Sequence, residues 1–221
     1  MTQNAWATNL ELIRQRYRWI AGVYPAFEVL LGVPPGARTR AVERLRLAPG
    51  ARVVEVGCGT GRNLSRLEAR VGPSGHIVGV DITPEMLSRS QRLSRARGWT
   101  NVDLIEADAR TWSTPEPVDA VLFCFSYSVL PMPMATLENA WRLLKPGGRL
   151  VVLDGALPTG LLGRLALWWG TQLSRLTVLG NPNRRPIEDL RQLTGEVGEE
   201  RLPGGWYAIS HATKPGASPT H

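Results

Sequence analysis

Between Ala51 and Asp154, short runs of β-branched and aliphatic residues alternate with polar segments whose apolar positions recur every three or four residues. The runs predict strands at Arg52–Val56, His76–Asp81, Val102–Glu106, Ala120–Phe125 and Arg149–Asp154. The intervening segments predict helices at Arg62–Arg70, Pro84–Arg97 and Met134–Leu144. This rhythm is that of βαβ units on a parallel sheet. Near-continuous apolar stretches such as Ala120–Phe123 and Leu150–Leu153 suit strands buried on both faces.

The flanks have a different texture. Residues 5 to 47 predict helix, with Leu10, Ile13, Tyr17, Ile20 and Ala21 along one face. Pro34, Pro35 and Gly36 interrupt that pattern before a second helix through Val42 and Leu45. Arg14, Arg16 and Arg18 suit either a membrane surface or the wet side of a lid helix. Residues 156–182 are rich in Leu and Trp but broken by Gly and Arg. They suit a substrate-pocket wall, an interfacial anchor or a dimer face, and are too interrupted to span a bilayer. A polar helix at Pro186–Leu193 precedes two strand candidates, Glu199–Leu202 and Trp206–His211, joined through Gly204 and Gly205 as a hairpin. The expected organisation is a helical lid over 1–50, a catalytic domain over 51–213 and a loose tail over 214–221.

Composition narrows the class only a little. The 221 residues are 43% hydrophobic and 20% charged, which excludes fibrous and disordered classes. A net charge of +7 suits anionic partners, but all the basic residues except Lys145 and Lys214 are arginines, a skew that genome composition also produces. Arginine stripes interleaved with stacking aromatics are missing, so nucleic acid is an unfavoured partner. Without a secretory signal pattern the cytosol is the expected compartment, with peripheral attachment to the inner face of the membrane as a further expectation. Two cysteines, Cys58 and Cys124, make neither a disulfide framework nor a four-ligand zinc site.

The chemistry concentrates in Val53-Val54-Glu55-Val56-Gly57-Cys58-Gly59-Thr60-Gly61-Arg62-Asn63. A strand enters three glycines at alternate positions, where the backbone turns sharply and can approach a ligand closely. The spacing is neither the dinucleotide G-x-G-x-x-G nor a phosphate-cradling P-loop. Glu55 before the turn suits an ammonium group better than a pyrophosphate. Asp81 ends the second strand, where a carboxylate can accept both ribose hydroxyls of a nucleoside, although it also suits a helix start. Asp108 follows the third strand, within reach of an adenine amino group, and Ile82 and Met86 can sandwich the purine.

Through EVGCGTG, VGVDITPEML, IEADA, VDAVLFCFS and LLKPGGRLVVLD, residues 51 to 154 resemble the Rossmann-like, class I S-adenosylmethionine-dependent methyltransferases. The flanks are most similar to bacterial phospholipid and aminolipid N-methyltransferases and to quinone C-methyltransferases. The resemblance implies a three-layer sandwich whose seven-stranded, mostly parallel sheet ends in an antiparallel hairpin. It implies S-adenosylmethionine as cofactor, with Glu55, Gly57, Gly59 and Gly61 at its methionine part and Asp81 at its ribose. Ile82, Met86, Asp108 and Ala109 would hold the adenine, and Phe123 to Phe125 would close over the cofactor. An N-terminal tyrosine, Tyr17 or Tyr24, would reach it as well. Tyr127 and Asp154, at the tips of the fourth and fifth strands, are the candidate catalytic residues at the acceptor. The expected reaction is N-methylation of a lipid amine headgroup at the membrane surface; the alternative is C- or O-methylation of a quinone-like or natural-product small molecule. His76 and His211 have no partners at metal-ligand or triad spacing, so no metal is expected. Oligomeric state is left open.

Overall fold

The structure is a computed structural model that describes residues 32–156 and 180–216. Tyr17, Tyr24, the first predicted helix and most of the apolar segment lie outside the described residues. Strands β1 (Arg52–Val56), β2 (His76–Asp81), β3 (Val102–Glu106), β4 (Val118–Cys124), β5 (Leu144–Gly155), β6 (Gly198–Arg201) and β7 (Tyr207–Thr213) form one sheet. Its order is β3-β2-β1-β4-β5-β7-β6. Strands β1 to β5 pair in parallel, whereas β7 runs antiparallel to both β5 and β6. This is a Rossmann-like topology with a reversed C-terminal strand pair, as the resemblance implies.

Helices α1 (Ala37–Arg44), α2 (Leu64–Val71), α3 (Pro84–Arg97), α4 (Pro133–Leu143) and α5 (Pro186–Thr194) flank the sheet. Strand side chains alternate between two apolar layers. Val53, Leu122, Cys124, Val151 and Leu153 pack with Ala41, Val42, Leu64 and Leu67 on one face. Val54, Val56, Val121, Phe123 and Val152 pack with Leu137, Ala140 and Leu190 on the other. With both faces covered, the central strands carry no alternation of polar residues.

Some predicted boundaries move. Strand β5 starts at Leu144 rather than Arg149, because Leu144 already pairs with Val118 before a register shift in the ladder. Lys214, assigned by sequence to the loose tail, is tied into the fold. Its N–H donates to Gly148 O at 2.8 Å, and its carbonyl accepts from Gly147 N. Its Nζ donates to the carbonyls of Trp141 and Leu144 at 2.9 and 2.8 Å, supplying a cation to the end of α4. Among the described residues no helix is long and apolar enough to cross a membrane.

Candidate active site

The C-terminal ends of β1, β2 and β4 border a cavity that is continuous with solvent. Open parallel sheets bind ligands at this edge, where the order of strands reverses, here between β1 and β4. The glycine turn after β1 forms the floor. Gly57 has φ +68°, and a Cβ there would lie 2.5 Å from Ser126 Cβ. A side chain at Gly61 would meet Leu64 Cδ1 at 2.8 Å, again with positive φ. The loop is braced from two sides. Gly59 N donates to Asp81 Oδ2 at 2.8 Å, and Ser90 Oγ donates to Gly59 O at 2.5 Å.

Glu55 is 1% exposed yet lines the cavity. Its Oε1 accepts from Asn63 Nδ2 at 2.5 Å, whereas the buried Oε2 has no hydrogen-bond partner. Burial pushes its carboxyl from an ordinary 4.5 up to about 7, against the opposing pull of Asn63 and the Arg38 guanidinium. Asn63 opens α2 without capping it. Its side chain is committed elsewhere, because its Oδ1 accepts from Arg38 Nη1 at 3.3 Å. Arg38 itself is 9% exposed, lies 4.9 Å over the Phe125 ring and donates to Cys124 Sγ at 3.2 Å.

Asp81 accepts from Thr83 N as well as Gly59 N, so it also serves as the helix-start acceptor that Thr83 does not supply. Burial raises its carboxyl above the ordinary aspartate range despite those two donors. Asp108 is forked by Arg110, with Nε and Nη2 both donating to Oδ2 at 2.9 and 2.5 Å. Hydrogen bonding by Arg110 holds that carboxyl below its usual range. Arg110 Nη1 continues to Met132 Sδ at 3.0 Å, which ties the loop after β3 to the start of α4.

The cavity thus brings together Glu55, Gly57, Gly59, Asp81, Ile82, Met86, Asp108 and Ala109 from the sequence expectation. Gly61 shapes the turn from outside the lining. Phe123 does not reach the cavity: it is fully buried beneath the sheet and meets Tyr127 edge-on, with centroids 5.9 Å apart. The aromatic at the wall is Phe125, whose φ of +57° swings its ring out between Arg38 and Tyr207. Tyr127 is likewise fully buried, and its hydroxyl donates to Asp189 Oδ2 at 2.6 Å. Burial and Asp189 push that phenol far above its ordinary value, and Tyr127 does not line the cavity. Asp154 is buried at the tip of β5, where it accepts from Ser128 N, Ser128 Oγ and Gly155 N. It fastens two strand tips and also stands outside the lining. Phe125, within the predicted Phe123–Phe125 stretch, does line the cavity, whereas the sequence reading missed Arg38, Asn63 and Arg110, for which spacing offers no signal.

Residues 53–148 match the family described as a methyltransferase domain. Demethylmenaquinone methyltransferase of Anoxybacillus flavithermus is 31% identical over 133 residues, which are 60% of this chain and 56% of that protein. The enzyme of the same name from Geobacillus kaustophilus is 33% identical over 123 residues, 55% of this chain and 53% of its own. The chain therefore spans just over half the length of the curated relatives it matches. An S-adenosylmethionine-dependent methyltransferase from Aquifex aeolicus superposes with a TM-score of 0.56 at 20% identity, over 81% of this chain and 93% of that one. The cyclase SpnF superposes with a TM-score of 0.70 at 19% identity, over 94% and 96% of the two chains. At such identities the likeness is one of fold, and the cyclase illustrates that the fold hosts more than one reaction. Residues 53–148 accordingly match a methyltransferase domain, carried on a Rossmann-like fold.

Proposed function

We propose that this chain methylates the ring of a quinone-like or other hydroxyaromatic small molecule, using S-adenosylmethionine. The observation that carries the reading is the division of the cavity. Carboxylates and backbone donors gather around the glycine turn, while Phe125, Val129, Leu130 and Pro131 offer an apolar wall. The residues fit the cofactor. The unpartnered Glu55 Oε2 suits its ammonium, Asp81 its ribose hydroxyls, and Ile82 and Met86 the faces of its adenine. Arg110 leaves Asp108 as an ion pair there rather than a free carboxylate, so Asp108 and the adjoining Ala109 would frame the adenine edge.

Bound in this cavity, the cofactor would supply an electrophilic methyl group. The protein's part is to bind, orient and exclude water, which is where the rate of a simple displacement comes from. Gly57 and Gly59 hold the backbone close to the ligand, Ser90 and Asp81 keep the turn from relaxing, and Phe125 covers it. Among the described lining residues, the apolar wall carries no group suited to general-base work. This favours an acceptor that brings its own electron-rich carbon, as a reduced hydroxyquinone does, over an ammonium that must first shed a proton. The names of the curated relatives support the same class of acceptor.

The test is turnover of reduced naphthoquinol and benzoquinol acceptors with S-adenosylmethionine, the methylated ring being detected by mass spectrometry. Incorporation on carbon or ring oxygen is expected. Methylation of aminolipids in anionic vesicles, with no reaction on quinols, would overturn it in favour of headgroup N-methylation. That second reading draws on the basic N-terminal residues and the apolar segment 156–182, nearly all outside the described residues.

A further inference from the structure

Three polar side chains form a buried relay that nothing in a minimal cofactor site requires. Arg38 enters from α1, Asn63 from the start of α2 and Glu55 from β1; they are 9%, 0% and 1% exposed. Buried amides and charges are expensive unless paired, so the relay has a definite purpose. The guanidinium donates to Asn63 Oδ1, which turns the amide so that its NH₂ faces Glu55 Oε1. Asn63 forgoes the helix cap that its position would otherwise favour. The second Glu55 oxygen is buried without a hydrogen-bond partner, in a residue that lines the cavity.

We infer that Arg38 is a positioning residue: acting through Asn63, it sets the protonation of Glu55, so that capture of an ammonium-bearing cofactor releases a proton. The inference rests on the cofactor reading above. The groups facing Glu55 balance closely. Burial opposes the carboxylate most, the Asn63 hydrogen bond and then the Arg38 charge favour it, and Asp81 from β2 opposes it. The neighbouring Cys58 thiol is itself pushed up by burial and stays neutral, and Cys124 lies under Arg38 on β4. An entering ammonium tips this balance toward the ionised form, and the departing proton leaves through the open mouth.

The experiment is calorimetric titration with S-adenosylhomocysteine, which carries the ammonium but cannot react, between pH 5.5 and 8. Each pH is measured in two buffers of different ionisation heat. 5′-Methylthioadenosine, which lacks the amino-acid part, is the control. Wild-type affinity for the homocysteine ligand is expected to rise about tenfold per pH unit below pH 7 and then level, with close to one proton released on the acid side. The control ligand should titrate flat. Arg38→Met, which keeps the aliphatic packing, should move the levelling point up by about one pH unit, so that its deficit at pH 7 shrinks at pH 8. A flat wild-type profile, or an Arg38→Met deficit equal at every pH, overturns the inference; the latter makes Arg38 a direct ligand contact. Failure of the ligand to bind at any pH defeats the cofactor reading instead. The wild-type proton count needs no substitution, so the inference stays testable if Arg38→Met does not fold.

Discussion

Replacing Glu55 with glutamine should stabilise the protein while removing its contact for a cofactor ammonium. The native carboxyl titrates at about 7 against an ordinary 4.5. Between those values the folded state holds a proton that the unfolded chain has already released. Stability therefore falls as pH rises through this window, and the full penalty stands above pH 7. At about 1.4 kcal/mol for each tenfold change in proton affinity, that penalty is about 3 kcal/mol, a large share of a domain's net stability. Glutamine keeps an oxygen for Asn63 and carries no charge to bury. Urea unfolding of the cofactor-free protein should find Glu55→Gln about 3 kcal/mol more stable than wild type at pH 8, and within about 1 kcal/mol at pH 5. An equal difference at both pH values would refute the reasoning, as would a variant less stable at pH 8. Saturating S-adenosylhomocysteine should narrow or reverse the gap at pH 8, because only the wild type gains the ammonium contact.

Gly57→Ala should lower stability by about 2 kcal/mol or more, read as a fall of several degrees in Tm, because the added methyl meets Ser126 Cβ and sits at positive φ. An unchanged Tm would mean the turn can move. Asp81→Ala should weaken binding of S-adenosylhomocysteine by roughly 1.5 to 3 kcal/mol, through lost charged hydrogen bonds to the ligand and a loosened Gly59; calorimetric affinity equal to wild type would take Asp81 out of the site. Tyr127→Phe removes the donor to Asp189 and should cost about 1 to 3 kcal/mol in urea unfolding, with turnover per folded molecule preserved. A tenfold fall in kcat at unchanged stability would instead bring Tyr127 back to the acceptor.

Local information in the sequence reached surprisingly different depths in different places. Strands β1, β2 and β3 and helix α3 fall at their predicted limits, because each has a β-branched run or a Pro start and a Gly stop. The glycine turn and the acids beside it were legible for the same reason: their geometry is set by neighbours within a few residues. Arg38 was not. Its partners Asn63 and Cys124 stand 25 and 86 positions away, and in the sequence it is one arginine among many. Tyr127 and Phe123 show the converse failure. Position at a strand tip suggested a ligand contact, whereas Phe125, by adopting a left-handed backbone conformation, takes the wall and leaves the other two rings to the core.

The place of β7 between β5 and β6 also has a consequence for biosynthesis. Strand β5 is made more than fifty residues before β7, its antiparallel neighbour, leaves the ribosome. Until then Leu150 to Leu153, fully buried in the finished sheet, form the open edge of a parallel array. An unpaired apolar edge of that kind recruits strands from other chains. Slowing translation between β5 and β7, or truncating the chain before Tyr207, should therefore yield aggregates rather than a smaller soluble sheet.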